Sequence, residues 1–160
     1  MLRCNALPIA FAISFSTFTA AQTNDATVFE QKNLYGRWHC NHFMEDAGTR
    51  LKVDYDINYF ADGRANGSGT LLLRMQNFPE IEYSISNRST WVLSGRSLIL
   101  SSQAFTLVNR SHPELDNFLN LESMFPQNIR ESSRILELTK STLKAQSESY
   151  GGIYTCSKIS

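Results

Sequence analysis

Alternation of apolar and polar residues runs through most of this chain. Leu51, Val53, Tyr55, Ile57 and Tyr59 are separated by Lys52, Asp54, Asp56 and Asn58. That period of two marks a strand with one buried and one wet face. Ala61-Asp62-Gly63 then predicts a hairpin turn, since an Asp-Gly step tolerates positive φ. Leu71 to Met75 continue the next strand after Gly67-Ser68-Gly69, where glycines permit a bulge or a sharp barrel bend. Ile81, Tyr83 and Ile85 alternate with Glu82, Ser84 and Ser86. Trp91-Val92-Leu93, the turn Ser94-Gly95-Arg96 and Leu98-Ile99-Leu100 make a second tight hairpin, extended by Phe105 and Leu107. Three more short strands are predicted at Ile135 to Leu138, Leu143 to Gln146 and Ile153 to Cys156, punctuated by Gly151-Gly152.

One segment departs from this rhythm. Ser111-His112-Pro113-Glu114 offers an N-cap, an early Pro and an early Glu. Leu115, Phe118, Leu119 and Leu121-Glu122 follow at near-helical spacing, and Pro126 ends the run. This predicts a single short helix or helical lid between two strand-rich parts. No internal repeat or low-complexity tract interrupts the chain.

The start of the chain has a different pattern. Arg3 precedes an apolar run from Leu7 to Phe18 that only Pro8, Ser14, Ser16 and Thr17 break. Thr19 and Ala21 occupy the −3 and −1 positions of a small-residue cleavage site before Gln22. The run is shorter than the ~20 apolar residues that cross a bilayer, so a cleaved secretory signal is expected. No Cys follows it at a lipid-attachment position. The expected organisation is therefore a signal peptide over residues 1–21, a flexible arm over 22–33 and one domain over 34–160, located in the periplasm or outside the cell. No transmembrane segment is expected in the mature chain.

Charge and cysteine content narrow the classes of partner. The full chain has 15 Lys and Arg against 15 Asp and Glu. Loss of Arg3 with the signal leaves a balance of one negative charge, with basic residues scattered, so nucleic acid is not an expected partner. Three cysteines become two when Cys4 is removed. An even pair in an exported chain predicts the disulfide Cys40–Cys156. Such a bridge would set the first and last strands side by side and stabilise the fold by ~4–5 kcal/mol on the chain-entropy estimate. About eight strands in sequential hairpins, tied first to last, predict an all-β, antiparallel up-and-down barrel, with a two-sheet sandwich as the alternative.

Leu34-Tyr35-Gly36-Arg37-Trp38 resembles the Gly-x-Trp opening of the lipocalin and wider calycin group. Tyr59-Phe60-Ala61-Asp62-Gly63-Arg64 and Trp91-Val92-Leu93-Ser94-Gly95-Arg96-Ser97-Leu98 resemble the hairpins of small bacterial lipocalin-like domains, in a pattern spread over residues 34–157. The resemblance implies that Trp38 packs across the closed end of the barrel, beneath a basic side chain from the last strand. Lys158 is the only basic residue there, where Arg is usual. It further implies carriage of a small apolar or amphipathic molecule, or a protein-binding or inhibitor role with a filled barrel, and no catalysis.

Candidate chemistry is sparse, and no cofactor or metal is expected. His39, Cys40 and His42 group three metal-ligand types, yet on a strand His39 faces opposite to Cys40 and His42. Asp54-x-Asp56-x-Asn58 begins like a calcium loop, but Tyr59 and Ala65 stand where that loop needs Gly and Glu, so a solvated strand face is expected. Ser68, within Asn66-Gly67-Ser68-Gly69, lacks the preceding Gly of a nucleophile elbow. His112 beside Pro113 is expected to cap the helix or face solvent. No enzyme is expected. Asn66-Gly67-Ser68, Asn87-Arg88-Ser89 and Asn109-Arg110-Ser111 match the glycosylation acceptor pattern.

The aromatic residues carry the ligand signal. Tyr55, Tyr59, Tyr83, Trp91 and Phe105 fall on the apolar parity of their strands and are the candidate cavity lining. Trp38, Cys40 and Cys156 are the candidate structural set. The expected protein is a monomer that takes a small apolar molecule or a protein partner. The volume of the barrel interior separates those two readings.

Overall fold

The structure, a computed structural model, describes residues 29–119 and 128–159. Eight strands follow one another in antiparallel pairs and close into a barrel. They are β1 (Gly36–Asp46), β2 (Thr49–Tyr59), β3 (Arg64–Arg74), β4 (Ile81–Ser94), β5 (Ser97–Asn109), β6 (Arg130–Leu138), β7 (Thr142–Ser147) and β8 (Ile153–Ile159). A helical turn, α1 (Gln31–Leu34), precedes β1. Between β5 and β6 lie a 3₁₀ turn (Pro113–Leu115) and one turn of α-helix, α2 (Asp116–Leu119). The barrel replaces the sandwich alternative because β1 pairs with β8, which closes the ring of strands.

Parity read from the sequence places the interior. Trp38, Cys40 and His42 on β1 stand opposite Ile57, Tyr55 and Val53 on β2. Those residues in turn face Gly67, Gly69 and Leu71 on β3. At the Asp62-Gly63 turn Gly63 adopts φ +83°, and the Asp62 carboxylate accepts the Arg64 N–H at 3.1 Å. Gly69 is required by close approach, since a Cβ there would overlap the Asp54 carbonyl and stand 2.7 Å from the Tyr55 Cα. A Cβ at Gly67 would overlap the Tyr55 phenol. The two glycines therefore let β2 and the Tyr55 ring press against β3.

Strand length divides the interior into two apolar layers. β1 to β5 have 11 to 14 residues, whereas β7 and β8 have 6 and 7. β6 meets β5 only along Ser97–Ser101, and β8 meets β1 only along Arg37–Asn41. The ring of eight strands is thus complete at the end where β1 begins. There Leu34, Trp38, Tyr59, Ala65, Trp91, Leu98, Ile135, Leu143 and Cys156 form one core. Beyond the reach of β6 to β8, Leu71, Leu73, Ile81, Tyr83 and Ile85 form a second core. Leu115 and Leu119 of the helical segment pack on it.

The lower core has the construction implied by the Gly-x-Trp opening. Trp38 is fully buried, and its Nε1 donates to the Leu34 carbonyl at 2.7 Å. Lys158 Nζ lies 4.8 Å from the centroid of the indole and donates to the Asn33 carbonyl at 3.0 Å. Lys158 thus fills the basic position. Cys40 and Cys156 are bonded across the β1–β8 seam. Among the described residues no helix is long and apolar enough to cross a membrane.

The helical segment is shorter than the pattern suggests over the described residues. Leu121, Glu122 and Pro126 lie outside them, as do residues 1–21, where a signal peptide is expected, and Gln22. Ser111 is not its cap: the Ser111 Oγ accepts from the Glu82 N–H at 2.9 Å. Asn109 orders the entry instead, accepting the His112 N–H at 2.9 Å and donating to Asp116 at 2.8 Å. His112 Nδ1 is 3.1 Å from Glu114, so the imidazole faces its own turn.

Candidate functional site

A cavity of about 220 Å³ opens at the level where β6 to β8 stop and β1 to β5 continue. Val53, Ile57 and Leu100 provide its aliphatic wall, and Tyr55, Tyr59, Tyr150 and Tyr154 its aromatic one. Cys40, His42, Glu131 and Ser133 complete the lining. Its floor is the upper surface of the Trp38 core, since Tyr59 belongs to both.

Burial fixes the state of the phenols. Desolvation pushes the Tyr55 hydroxyl far above its usual range. Tyr59 is raised even in the same sense by burial, with Tyr154 and Tyr55 adding to the effect. Tyr154 is pushed up to about 12, by burial first and by its neighbours Tyr150 and Glu131 after that, while a hydrogen bond with Ser133 opposes the rise. All three therefore carry their protons at neutral pH and present neutral rings. The Tyr55 hydroxyl donates to the Asn87 Oδ1, which holds the ring over Gly67.

The polar rim is built from β6, β1 and the β7–β8 turn. Glu131 accepts from the Ser147 hydroxyl, and the Ser149 hydroxyl stands 2.9 Å from both carboxylate oxygens. His42 Nδ1 lies 3.3 Å from the Ile153 carbonyl. Its ring packs 5.5 Å from that of Tyr150. The opposite ring nitrogen, His42 Nε2, is shut off from solvent with no hydrogen-bond partner.

Of the five aromatic residues marked by parity, the structure brings Tyr55 and Tyr59 to the cavity. Trp91 lies in the lower core, its Nε1 donating to the Phe60 and Arg64 carbonyls at 3.1 and 2.9 Å and its ring edge-on to Tyr59. Tyr83 is in the second core, where its hydroxyl meets Asp116 at 3.4 Å and anchors the helical segment. Phe105 packs against the same core. All five point inward as parity requires. Height along the barrel is what separates them.

Five polar or aromatic contributors escaped the sequence reading: His42, Glu131, Ser133, Tyr150 and Tyr154. One signal was available. Glu131 stands two residues before Ser133 and four before Ile135, both fully buried on β6, so a carboxylate occupies inward parity. Tyr154 has the same relation to Cys156.

Outside the barrel, His39 faces away from Cys40 and His42, as the alternation requires. Its Nδ1 lies 2.8 Å from Asp56, and Arg37 pairs with the same carboxylate at 2.9 Å. The hydrogen bond with His39 is the main reason the Asp56 carboxyl lies below its ordinary range, with Arg37 adding to it. The three acceptor triplets divide by orientation. Asn66 is exposed, Asn87 is bonded to Tyr55, and Asn109 is buried against Asp116. Among the described residues no three His, Cys, Asp or Glu side chains converge as a metal site requires.

No model of a known protein family matches the chain, and no curated protein matches it in sequence. The closed eight-stranded antiparallel barrel is compatible with a calycin-like fold.

Proposed function

We propose that this is an exported lipocalin-like binding protein that takes one compact apolar or amphipathic molecule in its barrel and performs no chemistry on it. The carrying observation is the cavity itself. At about 220 Å³ it exceeds the ~150 Å³ of an engineered void that binds benzene. It lies below the ~300–1,000 Å³ typical of sites for drug-sized ligands. Its occupant is therefore one ring or a short branched chain with a few further atoms. The alternative of an interaction or inhibitor module calls for a filled interior, and the open volume supports carriage over it. Export is supported by the Arg3 to Ala21 pattern together with the bonded cysteine pair.

Native mass spectrometry tests the reading on protein recovered from the exported fraction of its own cells. The expected result is a chain beginning at Gln22 with a small-molecule adduct that is lost on unfolding. A bare chain, together with a cavity that takes up no small apolar probe, would overturn carriage. A chain still beginning at Met1 would overturn export.

A further inference from the structure

Glu131 is the charged group among the cavity's apolar and aromatic lining. Its hydrogen bonds come from two serine hydroxyls, which stabilise a carboxylate without neutralising it. None of the ion pairs among the described residues involves it. A half-buried carboxylate at the rim of an apolar cavity, without a counter-charge, would gain from a cation brought by the ligand.

The rest of the cavity lining points to the same kind of ligand. Its aromatic wall consists of protonated tyrosines, whose ring faces attract cations. An anionic acceptor plus ring faces suits a positively charged N–H group. A carboxylate ligand, by contrast, would meet Glu131 as a like charge.

We propose that the ligand is a compact primary amine, bound as its ammonium ion by Glu131, with tyrosine faces about its apolar body. This rests on the carriage reading and narrows it to one ligand class. The volume admits an aromatic ring with an aminoethyl arm.

Three matched probes test it on the exported, disulfide-bonded chain: 2-phenylethylamine, 2-phenylethanol and 3-phenylpropanoate, titrated calorimetrically at neutral pH and low salt. The amine is expected to bind at least about tenfold more tightly than the alcohol, and the carboxylate most weakly. Glu131→Gln keeps an oxygen for Ser147 and Ser149. It should bring the amine to the affinity of the alcohol, and a cooperative thermal melt like that of the parent chain verifies that the variant is folded. Equal binding of amine and alcohol, or an amine preference that survives in Glu131→Gln, overturns the amine assignment and leaves carriage standing. Binding of none of the three overturns carriage and the assignment together.

Discussion

Replacing Trp38 by Ala is the most direct test of the lower core. The indole is fully buried, so truncation empties the space between Leu34 and the interior strand faces. A buried tryptophan hides ~150–250 Å², of which Ala and partial collapse recover a share; at ~25 cal/mol per Å² the loss is about 3–4 kcal/mol. The Leu34 carbonyl also loses the Nε1 donor at 2.7 Å, which adds about 1 kcal/mol. Lys158 loses its ring partner, although its bond to the Asn33 carbonyl persists. The total is about 4–5 kcal/mol, a large part of the ~5–15 kcal/mol that holds a domain together. Trp38→Phe keeps most of the ring and is expected to cost about 1–2 kcal/mol, mainly through the unmet Leu34 carbonyl. Urea titration of the oxidised variants reads both values, with Trp91, the other of the two tryptophans, as the fluorescent reporter. A cost below ~1 kcal/mol for Trp38→Ala, with an unchanged denaturant slope, would refute a buried structural role.

Three other perturbations have defined outcomes. The Cys40–Cys156 bond spans 116 residues of sequence, so Cys40→Ser with Cys156→Ser should lower stability by about 4–5 kcal/mol in the same titration. Thiol labelling of the unfolded, unreduced exported chain should find no free Cys, and stoichiometric labelling would show the bond to be absent. Gly69→Ala should destabilise more than Gly67→Ala. At Gly69 the obstacle is the β2 backbone, whereas at Gly67 it is the Tyr55 phenol, which can swing away from Asn87. Thermal melts rank the pair, and the reverse order would argue against this packing. Asp56 has a depressed carboxyl pKa, so its contribution is present above the ordinary value of 3.8 and is lost as pH falls through the lower folded-state value. Asp56→Asn should therefore cost a little at neutral pH, under ~1 kcal/mol for so solvated a pair, and nothing in strong acid. A cost that grows on acidification would contradict the His39 and Arg37 pairing.

Period-two alternation determined a great deal by itself, because a side chain's face on a strand depends only on residue parity. It assigned Trp38, Cys40, Tyr55, Tyr59, Tyr83, Trp91 and Phe105 to the interior and His39, Asp54 and Asp56 to the outside. The lone pair of cysteines in the expected mature chain closed the ring, since a bond between Cys40 and Cys156 makes the first and last strands neighbours. Parity is silent about height along the barrel axis. Height depends on register and on where each strand stops, and those follow from turns and pairings distant in sequence. Early termination of β6 to β8 is what separates the cavity residues Tyr55 and Tyr59 from Trp91 below and from Tyr83 and Phe105 in the second core. The same step brings Glu131, His42, Tyr150 and Tyr154 to one rim from segments up to 112 positions apart in the chain. No local pattern records such a meeting, because closure of the sheet, and not any single strand, creates the space they share.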